Sequence, residues 1–106
     1  MDPSSVYLGH DNAIAREVLL DGALLSLVSV TRVTLSLKAG ADTIMLDSRT
    51  SPELFNWTER PSVVQIQAGH APDLHDGRWT ATLVLYMPAF PAGLVVPSFP
   101  LYVHTP

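Results

Sequence analysis

The stretch Gly77-Arg78-Trp79-Thr80-Ala81-Thr82-Leu83-Val84-Leu85-Tyr86 constrains this chain more than any other. Trp79, Ala81, Leu83 and Leu85 fall on one side of it, and Arg78, Thr80, Thr82, Val84 and Tyr86 on the other. Side chains alternate across a strand with a period of two, so the spacing predicts a β-strand with one wholly apolar face. Asp76-Gly77 makes a turn in front of it. Pro88, which has no amide hydrogen to give to a ladder, ends it. A face of that kind has to be buried, and the rest of the chain reads as strands that pack against it.

In chain order, Val6-Tyr7-Leu8 is a short apolar start, followed by the turn-like Gly9-His10-Asp11-Asn12. Ala13 to Leu20 supports two readings: a short helix capped by Asp11 or Asn12, or a strand running into an Asp21-Gly22 hairpin turn. The turn favours the strand. Val28 to Lys38 is strand-rich but changes parity, with Val28 and Val30 even and Val33, Leu35 and Leu37 odd. A one-residue slip moves every side chain to the other face, so a bulge or bend is expected near Thr31. Ala39 to Asp42 is a turn and Thr43 to Asp47 a short strand. Ser48 to Ser62 is irregular, with Pro52 opening a helical turn and Phe55 and Trp57 as anchors to the core. Val63 to Ala68 alternates again, and Phe99, Leu101 and Val103 share one side of a closing strand opposite Tyr102 and His104.

Six to eight short strands with turn signals every 8 to 12 residues and almost no helix predict an all-β chain. The expected architecture is one antiparallel β-sandwich domain over residues 1–106 with about seven to eight strands, a barrel being the alternative. A hydrophobic content of 47% with 15% charged residues argues against disorder. The net charge of −4 and six scattered basic residues give no footprint for nucleic acid. No run approaches the roughly 18 apolar residues that a membrane span needs, and the first residues do not read as a secretory signal. The absence of cysteine excludes disulfides, thiolate metal sites and a cysteine nucleophile.

Chemistry has one candidate cluster, His70, Asp73, His75 and Asp76, which His10-Asp11 could join in space. Two imidazoles and two carboxylates suit zinc or an oxygen-preferring cation. Pro72 and Gly77 explain the same segment as a polar loop, so no metal and no cofactor are expected. The serines lack a nucleophile elbow, no phosphate loop exists, and Asp47, Glu53 and Glu59 are acids that any loop offers. No catalytic residue is assigned. Trp79 reads as core, and Trp57 as core or as a stacking platform for a sugar. Met87 to Pro97 carries no charged or polar side chain, yet its prolines and glycine read as a connection between strands. Connections normally run over the surface and are polar, so Phe90, Leu94, Val95 and Val96 are expected to meet a partner, the alternative being that Phe90 and Leu94 plug the domain's own core.

Four features in this order carry a family resemblance. They are Leu20-Asp21-Gly22, the Thr-rich Val30 to Leu37, the Gly77 to Leu85 strand, and Val95-Val96-Pro97-Ser98-Phe99-Pro100-Leu101-Tyr102-Val103. On these the chain resembles the immunoglobulin-like N-terminal module of upper baseplate proteins from long-tailed bacteriophages, with Trp79 where that family usually has Tyr. The resemblance implies an Ig-like sandwich in a small, non-enzymatic structural protein of a phage tail or baseplate. It would be made in the host cytoplasm and assembled in several copies. Its partners would be other tail, baseplate or fibre proteins, with no nucleic acid and no membrane insertion. A carbohydrate-binding module using Trp57 and the His70–Asp76 loop, a capsid decoration protein and a cell-wall hydrolase accessory enzyme are the alternatives.

Overall fold

The computed structural model describes residues 4–11 and 13–105; Asn12, one of the two cap candidates, lies outside them. Among the described residues there are eleven strands and two single-turn 3-10 helices. Three strands, β3 (Leu19–Leu20), β4 (Ala23–Leu24) and β7 (Phe55–Asn56), are only two residues long, which leaves eight longer ones. The all-β expectation holds.

Gly77 to Met87 forms β9, the longest strand, with Trp79, Ala81, Leu83 and Leu85 buried as the alternation predicts. Both of its edges are used. On one side it pairs antiparallel with β5 (Arg32–Ala39), and β6 (Asp42–Asp47) pairs with β5 in turn. On the other it pairs with β11 (Phe99–His104) and, further along, with β10 (Phe90–Val95). The first strand, β1 (Ser4–Tyr7), lies parallel to β11 and closes that side. The large sheet therefore runs β1-β11-β9-β5-β6. The second sheet is β2 (Ile14–Glu17), β8 (Val63–Ile66) and β7, in the order β2-β8-β7. Ile14, Val64, Ile66 and Phe55 from it share one core with Val33, Leu35, Leu83 and Leu101 from the large sheet. Two sheets closing on one apolar layer make a sandwich, not a barrel.

One open reading is resolved and two readings change. Ala13 to Leu20 is strand, the reading that the hairpin turn favoured: β2 leads into the β3–β4 hairpin, whose turn residues Asp21 and Gly22 have φ of 52° and 82°. Two consecutive positive φ values define the mirror-image turn whose twist suits a hairpin. The parity change before β5 is a turn rather than a bulge: Val30 N–H bonds the Leu27 carbonyl at 3.1 Å and the strand starts only at Arg32. Val28, at the tip of that turn, is 92% exposed. The second correction is the Met87–Pro97 connection. Pro88-Ala89 form a two-residue turn, and Phe90 to Val95 return along β9 as a strand. Pro91 is tolerated because the register breaks between Phe90 and Leu94, where no ladder donor is required. Gly93, at φ 97°, completes that bulge; a Cβ there would lie 2.6 Å from Val84 Cγ1.

Candidate docking surface

The four residues expected to meet a partner fall in three different surroundings. Phe90 is half-buried and packs on the core from the end of β10. Leu94 lies opposite Leu85 and shares its inward side, half-buried. Val95, opposite Val84, faces outward and is 62% exposed. Val96 gives its N–H to the Leu83 carbonyl at 2.9 Å and turns its side chain to the flank of the sandwich.

That flank is a groove of about 450 Å³ lined by Ala15, Arg16, Glu17 and Leu19 from one side and Val96 and Pro97 from the other. It runs between the outermost strand of the small sheet and the β10–β11 junction of the large one. Arg16 points inward there, its guanidinium 3.8 Å from the centre of the Phe99 ring. Its partial burial lowers the pKa below the usual arginine value. An aromatic face attracts a cation, so Arg16 roofs an aromatic residue that would otherwise meet water. Beside the groove the β3–β4 hairpin pairs Leu19 with Leu24, and these are 53% and 59% exposed. Sequence reasoning missed both leucines. The available signal was an Asp-Gly turn flanked by leucine on both arms, without the polar alternation of a solvated hairpin.

A second hollow, about 470 Å³, opens at the end of the sandwich between Leu27, Val28, Val30, Trp57 and Pro61, with the hydroxyls of Ser26 and Thr58 at its wall. Trp57 is half-buried, consistent with both an anchor and a platform. The His70–Asp76 loop is not part of this lining.

The His/Asp cluster disperses in space. His70 Nε2 is 2.6 Å from Asp11 Oδ1, and His75 Nε2 is 3.1 Å from Asp42 Oδ2, so each imidazole faces a different carboxylate. Asp11 does join His70. Asp73 stands at φ 64°, a backbone conformation that Asp tolerates in turns. No group of three or more His, Cys, Asp or Glu that could hold a metal occurs among the described residues. His75 instead props the loop. Its Nδ1–H donates to the Asp76 carbonyl at 2.9 Å, and its ring packs against Trp79 at a tilt of 50° with centroids 4.7 Å apart. Trp79 Nε1–H in turn donates to the His75 carbonyl at 3.0 Å. The hydrogen bonds to Asp76 and then to Asp42 raise the His75 pKa above the ordinary imidazole value.

The other charge pair is structural too. Arg32 Nε lies 3.1 Å from both Asp47 oxygens, and the Arg49 N–H adds a bond to Oδ1 at 3.0 Å. The Arg32 hydrogen bond holds the Asp47 carboxyl below its usual range. Ser48 Oγ is occupied as well, accepting the Val33 N–H at 2.9 Å. No helix is long and apolar enough to cross a membrane among the described residues. Compared with known protein families, curated proteins and solved structures, the chain matches none of them.

Proposed function

We propose that this chain is a non-enzymatic structural component of a bacteriophage tail or baseplate, an Ig-like sandwich that docks on neighbouring proteins through its open flank. The observation that carries the docking reading is the exposed apolar side chains at and next to the groove: Leu19, Val96 and Pro97 line it, Leu24 is exposed across the hairpin from Leu19, and Val95 is exposed next to Val96 in the chain. Contiguous apolar surface rimmed by polar groups marks interaction sites. The Ig-like reading is supported by strand order. Taken in chain order as B, C, C′, D, E, F and G, strands β2, β5, β6, β7, β8, β9 and β11 give one sheet G-F-C-C′ and the other B-E-D. The tail or baseplate assignment rests on the four sequence features named above.

The test is a competition between wild type and Val95→Asp for incorporation into tail particles. Val95 is exposed and its backbone is already paired, so the variant is expected to fold with a stability change of about 1 kcal/mol or less. Exclusion of the folded variant supports the docking reading, and equal incorporation refutes it. One observation favours a second reading, carbohydrate binding at the Trp57 hollow. That hollow combines an aromatic face with two hydroxyls and has no charged lining residue. Glycan-array binding abolished by Trp57→Ala would favour it.

A further inference from the structure

We propose that two copies of this chain pair edge to edge through β6, joining their large sheets into one continuous sheet across a two-fold axis at Met45. The proposal rests on the structural-component reading above and deepens the expectation, implied by the resemblance, that the chain assembles in several copies.

β6 ends the large sheet, so one of its edges is unpaired among the described residues. Ser48 N–H bonds the Val33 carbonyl, and hydrogen-bonded pairs alternate along an antiparallel ladder. Asp42, Ile44 and Leu46 therefore bond inward to β5, while the amides of Thr43, Met45 and Asp47 point off the sheet. The Asp47 carbonyl is taken by Thr50 and Ser51, at 3.2 and 2.8 Å. The N–H groups of Thr43, Met45 and Asp47 and the carbonyls of Thr43 and Met45 remain for another strand.

Folded proteins guard such edges with short strands, prolines, bulges, lysines or inward-pointing charges. Three other edges here have those devices. β7 is two residues long, β10 carries Pro91 and the Gly93 bulge, and β2 turns Arg16 inward. β6 has six regular residues, no lysine and no proline, and Met45 at its middle is 62% exposed.

The occupant follows from how the strand reads against itself. Centred on Met45, an antiparallel second copy sets Met45 opposite Met45, Thr43 opposite Asp47, Asp42 opposite Ser48, and Ile44 opposite Leu46. Every opposed pair then lies on a common face, because the register keeps odd residues with odd and even with even. On the inward face Ile44 opposes Leu46, apolar on apolar, with Asp42 opposite Ser48 at either end, and half-buried Ile44 gains cover. No like charges oppose each other, an arrangement that would destabilise a strand pair. Asp42 and Asp47 each already face a basic side chain of their own chain, His75 and Arg32. Four backbone hydrogen bonds form. Two join the Met45 residues, and two run from Asp47 N–H of either copy to the Thr43 carbonyl of the other.

An interface of one six-residue strand belongs with small, transient ones, so association at roughly 0.1 mM is expected. Sedimentation of the full chain from about 10 µM to about 1 mM should show monomer passing to dimer. Met45→Lys and Met45→Glu place like charges on the axis, and each alone should weaken association by tenfold or more. An equimolar mixture of the two should restore it. Circular dichroism of each variant, with Val28→Lys as a surface control, verifies the fold. A chain that stays monomeric at about 1 mM overturns the proposal. So does a dimer that neither variant weakens, or a mixture that associates no better than either variant alone. Sedimentation needs no tail particle, so failure here is distinct from failure to incorporate.

Discussion

Replacing Trp79 with alanine removes the largest fully buried side chain of the central strand. A buried tryptophan truncated to alanine costs about 3–5 kcal/mol, as lost transfer energy plus the cavity left behind. Two further contacts go with the ring, the Nε1–H bond to the His75 carbonyl and the tilted packing on the His75 ring, and with them the hold on the loop before β9. The freed carbonyl belongs to an exposed residue and can bond water, so the hydrogen bond adds only about 1 kcal/mol. At about 0.05–0.15 kcal/mol per residue, a domain of this length has roughly 5–15 kcal/mol in total. Trp79→Ala is therefore expected to remove about a quarter or more of the stability, and Trp79→Phe about 1–2 kcal/mol. Urea unfolding followed by circular dichroism gives both numbers, provided the slope with denaturant is unchanged between variants. A loss below about 1 kcal/mol for Trp79→Ala, with unchanged slope, would refute the assignment of the inner face of β9.

Further outcomes follow from the same geometry. Because the folded pKa of His75 is raised, its contribution is fully present below the unfolded value near 6.5 and is lost as pH rises through the folded value. The stability difference between wild type and His75→Gln should thus shrink between mildly acidic and alkaline pH. A difference independent of pH would contradict the Asp76 and Asp42 contacts. For Asp47 the sign is opposite: its pKa is lowered, so its contribution holds above the ordinary carboxyl range and disappears as pH falls through the folded value. Asp47→Asn should leave a stability deficit at neutral pH that closes in acid. Elemental analysis of purified protein should find no stoichiometric zinc, since His70 and His75 face separate carboxylates; near-equimolar zinc would overturn that.

Much of the fold was legible because apolar alternation and turn chemistry are local. Trp79 to Leu85, Phe99 to Val103 and the Asp21-Gly22 hairpin needed nothing beyond neighbouring residues. The failures arose where a local signal had two physical meanings. Three prolines and a glycine between Met87 and Pro97 read as a loop, yet a bulged strand bears Pro91 where it owes no ladder bond. The parity change at Val28 to Val33 read as a bulge or bend within one strand-rich stretch, whereas a turn ends before the strand begins at Arg32. At the site, spacing misled in both directions. His70, His75 and the aspartates are close in sequence, but their side chains reach Asp11 and Asp42 from other elements. Leu19 and Val96 are far apart in sequence, and only the sandwich brings them to one groove. That juxtaposition depends on which strands lie outermost, which no local pattern specifies.

The central claim, that this chain is a built-in part of a phage tail, has one most direct measurement. Quantitative mass spectrometry of purified tailed particles, washed at high salt, counts copies of the chain against a tail tube or baseplate protein. The account predicts a fixed whole-number ratio that survives the wash, as expected for apolar docking at Leu19, Val95 and Val96, which salt does not screen. Absence of the chain from washed particles, or a ratio that falls with each wash, would contradict it.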